Sequence, residues 1–132
     1  DTFGIRSVRG ERYKYILNFT PGVEFRNACT KSREFQSWIA KAEAGDNDAA
    51  DKVHRYTNRD GVELYDLEKD PYEWHNLAGK KQVKAVENTL RKKLDQWMRS
   101  QGDRGQETEL AARDRQGSGR QKKAKKGGRK KG

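Results

Sequence analysis

The fold is decided by residues 13–19, which read Tyr13-Lys14-Tyr15-Ile16-Leu17-Asn18-Phe19. Large apolar side chains occupy every second position, and a period of two residues is typical of a β-strand with one buried face. The preceding residues Ile5-Arg6-Ser7-Val8 suit a partner strand, and Arg9-Gly10-Glu11 supplies a short connection with a glycine that tolerates positive φ. The first 20 residues are therefore predicted to form a β-hairpin.

Apolar residues at helical spacing predict two helices further along the chain. The first is a helix of about 12 residues, which Thr30 or Ser32 would cap and Gly45 would end. Its apolar face carries Phe35, Trp38, Ile39 and Ala42. The second helix runs from about residue 80 to about residue 100, where Gly102 would end it. Its apolar stripe consists of Val83, Val86, Leu90, Leu94, Trp97 and Met98.

A third strand is predicted at residues 62–67, Val62-Glu63-Leu64-Tyr65-Asp66-Leu67. The turn signal Asp60-Gly61 precedes it, which predicts that residues 53–57 pair with it as a second hairpin. Asp46-Asn47-Asp48 begins a polar connection, for which a short helix through Val53 is the alternative.

These elements predict an α+β fold. A small antiparallel sheet of about four strands, in two hairpins, would be packed by one long C-terminal helix and a shorter helix. The tyrosine and leucine face of the sheet is the expected partner of the long helix. With only 31% hydrophobic residues, the core is expected to depend on its aromatic side chains, including Trp38, Trp74 and Trp97.

The charge of the chain is concentrated at its C-terminal end. The net charge is +10, but residues 111–132 carry +9 of it and residues 1–110 carry only +1. We therefore predict a folded body over residues 1–110 and a disordered Lys-, Arg- and Gly-rich tail over residues 111–132. Such a tail predicts weak, salt-sensitive binding to polyanions, whereas the nearly neutral body lacks the basic face of a nucleic-acid-binding domain.

Several classes of protein are excluded by simple patterns. The chain has no run of 18 apolar residues, so no membrane span is predicted. The first residues, Asp1-Thr2-Phe3, show no signal-peptide pattern. The single cysteine, Cys29, cannot form an internal disulfide or a cysteine-based zinc cluster.

No self-contained active site is predicted. The acidic residues after the third strand have the 1-3-5 spacing of an EF-hand loop, but Pro71 and Leu77 stand where that loop needs glycine and glutamate. His54 and His75 have no metal-ligating residue at a recognisable spacing. Cys29 has basic neighbours but no paired histidine, so neither a metal site nor a catalytic residue is expected.

Three segments resemble the C-terminal subdomain of sulfatases, in the family's order. Residues 63–78, Glu63-Leu64-Tyr65-Asp66-Leu67-Glu68-Lys69-Asp70-Pro71-Tyr72-Glu73-Trp74-His75-Asn76-Leu77-Ala78, closely resemble the segment E-L-Y-D-L-x-x-D-P-x-E-x-x-N-L-A. Residues 8–16 look like the strand that opens this subdomain. Ser32-Arg33-Glu34-Phe35-Gln36 is similar to a helix start in the heparan N-sulfatase (sulfamidase) branch. The resemblance covers about residues 4–103.

The resemblance implies a hydrolase of sulfate esters or sulfamates whose chemistry lies outside these residues. Sulfatases use a formylglycine made from the cysteine of a C-x-P-S-R motif, together with a calcium ion, and both belong to the N-terminal catalytic domain. Cys29-Thr30-Lys31-Ser32-Arg33 is similar to that motif, but Lys31 replaces its proline. We therefore expect no catalytic residue and no cofactor in this chain, with calcium and formylglycine in the missing domain.

The same resemblance implies partners and a role in shaping the substrate cleft. The expected partners are the N-terminal catalytic domain of the same protein and a sulfated saccharide such as a glycosaminoglycan. His54, Arg55, Lys31 and Arg33 are the predicted cleft-lining residues, chosen by charge and position. The parent enzyme is expected to be exported, and the isolated chain to aggregate or dimerise. The alternative is a small module that binds polyanions through its basic tail.

Overall fold

The computed structural model describes residues 3–112 and 114 of the chain. Its strands are β1 (Ile5–Arg9), β2 (Tyr13–Asn18) and β3 (Val62–Asp66), and its α-helices are α1 (Arg33–Glu43), α2 (Asn47–Thr57) and α3 (Lys84–Ser100). Single 3₁₀ turns precede α1 and α3, at Cys29–Lys31 and Lys81–Val83, and residues 106–112 are helical. Within these residues no helix is both long enough and apolar enough to cross a bilayer. The predicted α+β class is confirmed.

The three strands form one antiparallel sheet in the order β1-β2-β3. Val8 lies opposite Tyr15 in the first pair of strands, and Tyr15 lies opposite Leu64 in the second. The turn between β1 and β2 is closed by the Gly10 N–H, which donates to the Tyr13 carbonyl at 2.8 Å. The N-terminal hairpin predicted from the alternating residues is confirmed.

The core lies between this sheet and α3. Its buried centre consists of Tyr15, Leu64, Leu90 and Leu94. The stripe of the long helix therefore packs on the tyrosine and leucine face of the sheet, as predicted. The chain leaves α3 at Gly102, whose φ of 64° is a left-handed conformation that glycine adopts without strain.

The helices α1 and α2 pack against each other as a helical hairpin. Ser32 and Asp46 cap them, since each side chain accepts a hydrogen bond from the backbone N–H three residues on, at 3.2 and 3.0 Å. Gly45 joins the two helices with a φ of 95°. Between them the rings of Phe35 and Tyr56 lie 5.1 Å apart, centre to centre. The prediction for α1, including its cap at Ser32, is confirmed.

The second predicted hairpin is wrong, and the sheet has three strands in the described residues. Residues 53–57 form the last turns of α2, so β3 pairs with β2 instead. The helix is favoured because Ala49, Val53 and Thr57 recur every four residues on its inward face. The Asp60-Gly61 turn connects α2 to β3. The alternative of a short helix in this region is correct, although α2 extends four residues beyond Val53.

The expectation that the three tryptophans belong to the core is also wrong. Trp38, Trp74 and Trp97 are 41%, 42% and 52% exposed. The aromatic residues of the core are instead Tyr15, Phe35 and Tyr65, which lie among aliphatic residues. Trp38 and Trp97 satisfy the apolar period of their helices yet lie at the edge of the apolar stripe, and periodicity does not distinguish these two positions.

The segment after α3 returns to the N-terminal strand. Arg6 pairs with both Asp103 and Glu109, at 2.8 Å for Glu109. Phe19 lies so close to Gly105 that a Cβ atom there would approach its ring within 2.9 Å. Of the predicted tail, only residues 111, 112 and 114 are described, and they are helical; the rest of that prediction lies outside the described residues.

Candidate functional site

An open groove of about 740 Å³ lies where the end of α2, the middle of β3 and residues 72–76 meet. Concave surfaces of this size and aromatic content are typical of small-molecule sites, which span about 300–1,000 Å³. Five aromatic side chains line it: Trp38, Tyr56, Tyr65, Tyr72 and Trp74. The groove is therefore the candidate site in the part of the chain that the structure describes.

Asp70 fixes the loop that presents two of these aromatic residues. Its carboxylate accepts hydrogen bonds from the backbone N–H groups of Trp74, at 2.9 Å, and His75, at 2.6 Å. The bond from Trp74 above all lowers the pKa of Asp70, because it stabilises the charged carboxylate. Glu73 has a φ of 59° and pairs with Lys14 at 2.7 Å. These contacts hold the backbone of the loop on both sides of Trp74.

The carboxamide of Asn76 covers the outer edge of β3. Its Oδ1 accepts hydrogen bonds from the N–H groups of Leu64, at 2.9 Å, and Ala78, at 3.0 Å. Its Nδ2 donates to the Val62 carbonyl at 3.1 Å and to the Asp60 carboxylate at 2.8 Å. One side chain therefore makes the hydrogen bonds that a neighbouring strand would otherwise supply, and it ties the loop to the sheet.

Glu63 places a buried carboxylate in the lining of the groove, with 4% of the residue exposed. It accepts hydrogen bonds from the Asn18 amide at 2.6 Å, the Arg59 guanidinium at 2.9 Å and the Tyr65 hydroxyl at 2.7 Å. Burial, with the hydrogen bond to Glu63, raises the pKa of Tyr65 far above its usual value. Tyr65 is therefore a neutral hydrogen-bond donor that helps to hold the lining in place.

Arg55 joins α2 to the loop. Its guanidinium lies 5.2 Å from the centre of the Trp74 ring and donates to the Trp74 carbonyl. Its Nε pairs with the Asp51 carboxylate at 2.9 Å. A cation over a tryptophan face is attracted by the negative potential of the ring. Arg55 thus supports Trp74 while its own charge is compensated.

The structure brings two of the four predicted cleft residues to the groove. His54 and Arg55 are exposed on α2 and line it. Lys31, in the turn before α1, and Arg33, in the first turn of α1, are exposed but do not line it. The functional role of all four residues stays a prediction.

Sequence reasoning missed the aromatic members of the groove, above all Tyr72 and Trp74. A usable signal was present, because both follow Pro71 in a segment without helical or strand periodicity. Large aromatic residues in such a segment have no regular face to bury. Trp38 gave no comparable signal, since its position fits the apolar period of α1.

The described residues do not fit the cofactors of a sulfatase. Among residues 3–112 and 114, no three His, Cys, Asp or Glu side chains lie close enough together to hold a metal ion. Cys29 is exposed in the turn before α1 and is followed by Thr30 and Lys31 where the formylglycine motif has its proline. No catalytic step is assigned to these residues.

Comparison with known proteins identifies the class of this subdomain. Residues 39–100, from within α1 to the end of α3, match a family model. Two curated sulfatases from Formosa agariphila also match over 78% of the chain. The chain contains a subdomain of the sulfatase C-terminal type. The family whose model matches is described as N-sulphoglucosamine sulphohydrolase, C-terminal.

The two relatives are both named ulvan-active sulfatase. One is 34% identical over 103 residues and the other is 32% identical over 109 residues. The chain spans only 19% and 18% of their lengths, about a fifth of each. The resemblance seen in the sequence is therefore confirmed for the subdomain.

Replacing Asn76 should destabilise the fold. Asn76→Ala leaves the backbone groups at the edge of β3 without partners, and we expect the free energy of unfolding to fall by about 2–3 kcal/mol. The exposed Asn47→Ala in the first turn of α2 is the matched control and should change it by less than about 0.5 kcal/mol. Urea unfolding of both variants is the measurement. Equal stabilities would show that the carboxamide does not hold the edge.

The Arg12–Asp66 pair should make the fold sensitive to acid. Two hydrogen bonds from Arg12, at 2.9 and 2.6 Å, lower the pKa of Asp66 to about 2. The unfolded chain therefore takes up this proton more readily than the folded chain, and stability falls as the pH drops from about 5 toward 2. Asp66→Asn should flatten this part of the profile, and Arg12→Gln should do the same. Urea unfolding between pH 7 and 2 tests this; an unchanged slope in both variants would contradict it.

Proposed function

We propose that the chain is the C-terminal part of an enzyme that hydrolyses sulfate esters or sulfamates of a saccharide. The observation that carries this proposal is an aromatic groove, with His54 and Arg55 in its lining, on a subdomain that matches sulfatase C-termini. In the whole enzyme the subdomain completes the fold and forms one wall of the substrate cleft. It supplies no catalytic group of its own.

The partner proposed for the subdomain is an N-terminal catalytic domain of the same protein. That domain would carry the formylglycine and the calcium ion, and the enzyme would be exported. Several large apolar side chains are exposed outside the groove, and such surface is suited to a domain interface. They include Ile5, Val23 and Trp97, which are 38%, 44% and 52% exposed. Without that domain, the chain would aggregate or dimerise through the same surface.

The substrate class proposed is a sulfated saccharide. The matching family is named for N-sulphoglucosamine, whereas the two relatives are named for ulvan. A sulfated saccharide is common to both names. A glycosaminoglycan is one member of that class, and neither name assigns the linkage cleaved by this enzyme.

Sulfate release by the full-length enzyme tests this function. His54→Ala and Arg55→Ala should each lower kcat/KM on a sulfated polysaccharide by about tenfold, because each removes a contact with bound substrate. Lys92→Ala and Lys93→Ala are the matched controls, since both side chains are exposed on α3 outside the groove. Ion chromatography of released sulfate is the measurement.

The outcomes separate the role of the groove from the function of the enzyme. If the α2 variants keep the wild-type kcat/KM, the groove does not belong to the cleft. If the wild-type enzyme releases no sulfate from heparan sulfate or from ulvan, the proposed function is wrong.

The composition of the tail favours a second candidate, a module that binds polyanions. Residues 115–132 contain nine Lys or Arg and no acidic residue. Deleting them should abolish salt-sensitive binding to single-stranded DNA and to heparin, because few uncompensated cations remain. Fluorescence anisotropy at two salt concentrations measures this. If the shortened chain still prefers nucleic acid, the binding module becomes the better account.

A further inference from the structure

The cationic side chains of the groove lining do not form a site for anions, because carboxylates accompany them. Three cationic side chains line the groove: Lys52, Arg55 and Arg59. Four anionic side chains also line it: Asp51, Asp60, Glu63 and Glu73. A site that binds sulfate would instead contain Arg or Lys side chains that are not already paired with a carboxylate.

Each cationic side chain of the lining already has a carboxylate partner. Arg59 lies 2.9 Å from Glu63, and Arg55 lies 2.9 Å from Asp51. Lys52 pairs with Asp48 at 2.5 Å, one helical turn earlier. Among the described residues, the lining therefore offers no Lys or Arg free to neutralise a sulfate group. A sulfated ring bound here would also meet the Asp60 carboxylate, for which the described residues give no ion pair.

Three of the five aromatic side chains of the groove are exposed. Tyr72 is 81% exposed, and Trp74 and Trp38 are 42% and 41% exposed. No described residue hydrogen-bonds the Tyr72 hydroxyl. Aromatic surface left in water within a concave site indicates a binding surface for an apolar or amphipathic ligand.

A few polar groups stand beside these rings. The Asp60 carboxylate uses one oxygen for Asn76, at 2.8 Å, and no described residue hydrogen-bonds the other. The His54 imidazole, on α2 and in the lining of the groove, has its Nδ1 3.2 Å from the Asn58 amide nitrogen, and no described residue hydrogen-bonds its Nε2. The Asp60 carboxylate and the His54 imidazole can hydrogen-bond the hydroxyl groups of a ligand. The aromatic rings beside them can contact a C–H face of the same ligand.

We propose that the groove binds an uncharged sugar ring of the saccharide substrate by stacking it on Trp74, Tyr72 and Trp38. The weakly positive C–H face of a pyranose complements the negative face of an aromatic ring. This inference rests on the proposed function and deepens it, since it assigns separate binding sites to two parts of the same saccharide. The groove holds a ring that carries no sulfate, and the sulfated ring lies toward the catalytic domain.

The structure prepares Trp74 for this role before any ligand binds. Asp70 fixes its backbone, and Arg55 lies against its ring. A ring that is already immobilised loses little conformational entropy on binding, which favours stacking.

The test uses the full-length enzyme and uncharged probes, namely cellohexaose, xylohexaose and maltohexaose. At least one should bind, as measured by isothermal titration calorimetry, with an affinity that is unchanged between about 0.02 M and about 0.5 M salt. Trp74→Ala and Tyr72→Ala should each weaken binding by about tenfold. Lys93→Ala is the control, because Lys93 is an exposed residue of α3 outside the groove, and it should have no effect.

Kinetics on a sulfated polysaccharide provide the second readout. The Tyr72 and Trp74 variants should raise KM about tenfold and leave kcat unchanged, because stacking is equal in the ground and transition states. Tyr72 is so exposed that its replacement leaves the fold intact.

Three results would overturn the proposal. Binding that weakens steeply with salt would show that the groove recognises charged groups of the ligand. No binding of any neutral hexasaccharide, or unchanged KM in both variants while the wild type releases sulfate, would show that another part of the enzyme covers the groove. Absence of sulfate release by the wild type would refute the proposed function instead, and the calorimetric result would still decide whether the groove binds an uncharged ring.

Discussion

The structure around the groove depends on one carboxamide at the edge of a sheet. A three-stranded sheet exposes backbone hydrogen-bonding groups along its outer strands, and β3 is one of these. Asn76 satisfies two of them, the Leu64 N–H and the Val62 carbonyl, and it thereby fixes where the loop must run. Asp70 sets the turn that precedes it, so Trp74 between them has little freedom. The segment that resembles the sulfatase family therefore has mainly a structural role. Its polar residues Asp70 and Asn76 hydrogen-bond backbone groups of the loop and of β3.

The parts of the fold that were predictable are those governed by local rules. Ser32 caps a helix, and Gly45 and Gly102 end helices, because each role requires a particular side chain or a left-handed backbone. Residues 53–57 were mistaken for a strand because the Asp60-Gly61 turn signal is also local. Burial of the inward face of α2 outweighed that signal, and burial is a tertiary effect that periodicity over five residues does not reveal.

The candidate site was half predictable. Charge and position indicated His54 and Arg55, and the structure places both at the groove. The sequence does not show that Asp51 compensates Arg55 one turn away on the same helix, in the spacing also used by ordinary surface pairs. Nor does it show that Trp74 faces solvent. The sequence shows how many charged residues lie in this region, but their pairing with one another becomes visible only in the structure.

The contact between Arg6 and Glu109 has a mechanical consequence. It places the start of β1 beside the segment that follows α3, and Gly4 and Gly105 pack closely against the same Phe19 ring. The chain therefore enters and leaves the subdomain at one point. A pulling force applied at both ends of the described residues would act first on this junction, which lies outside the lining of the groove.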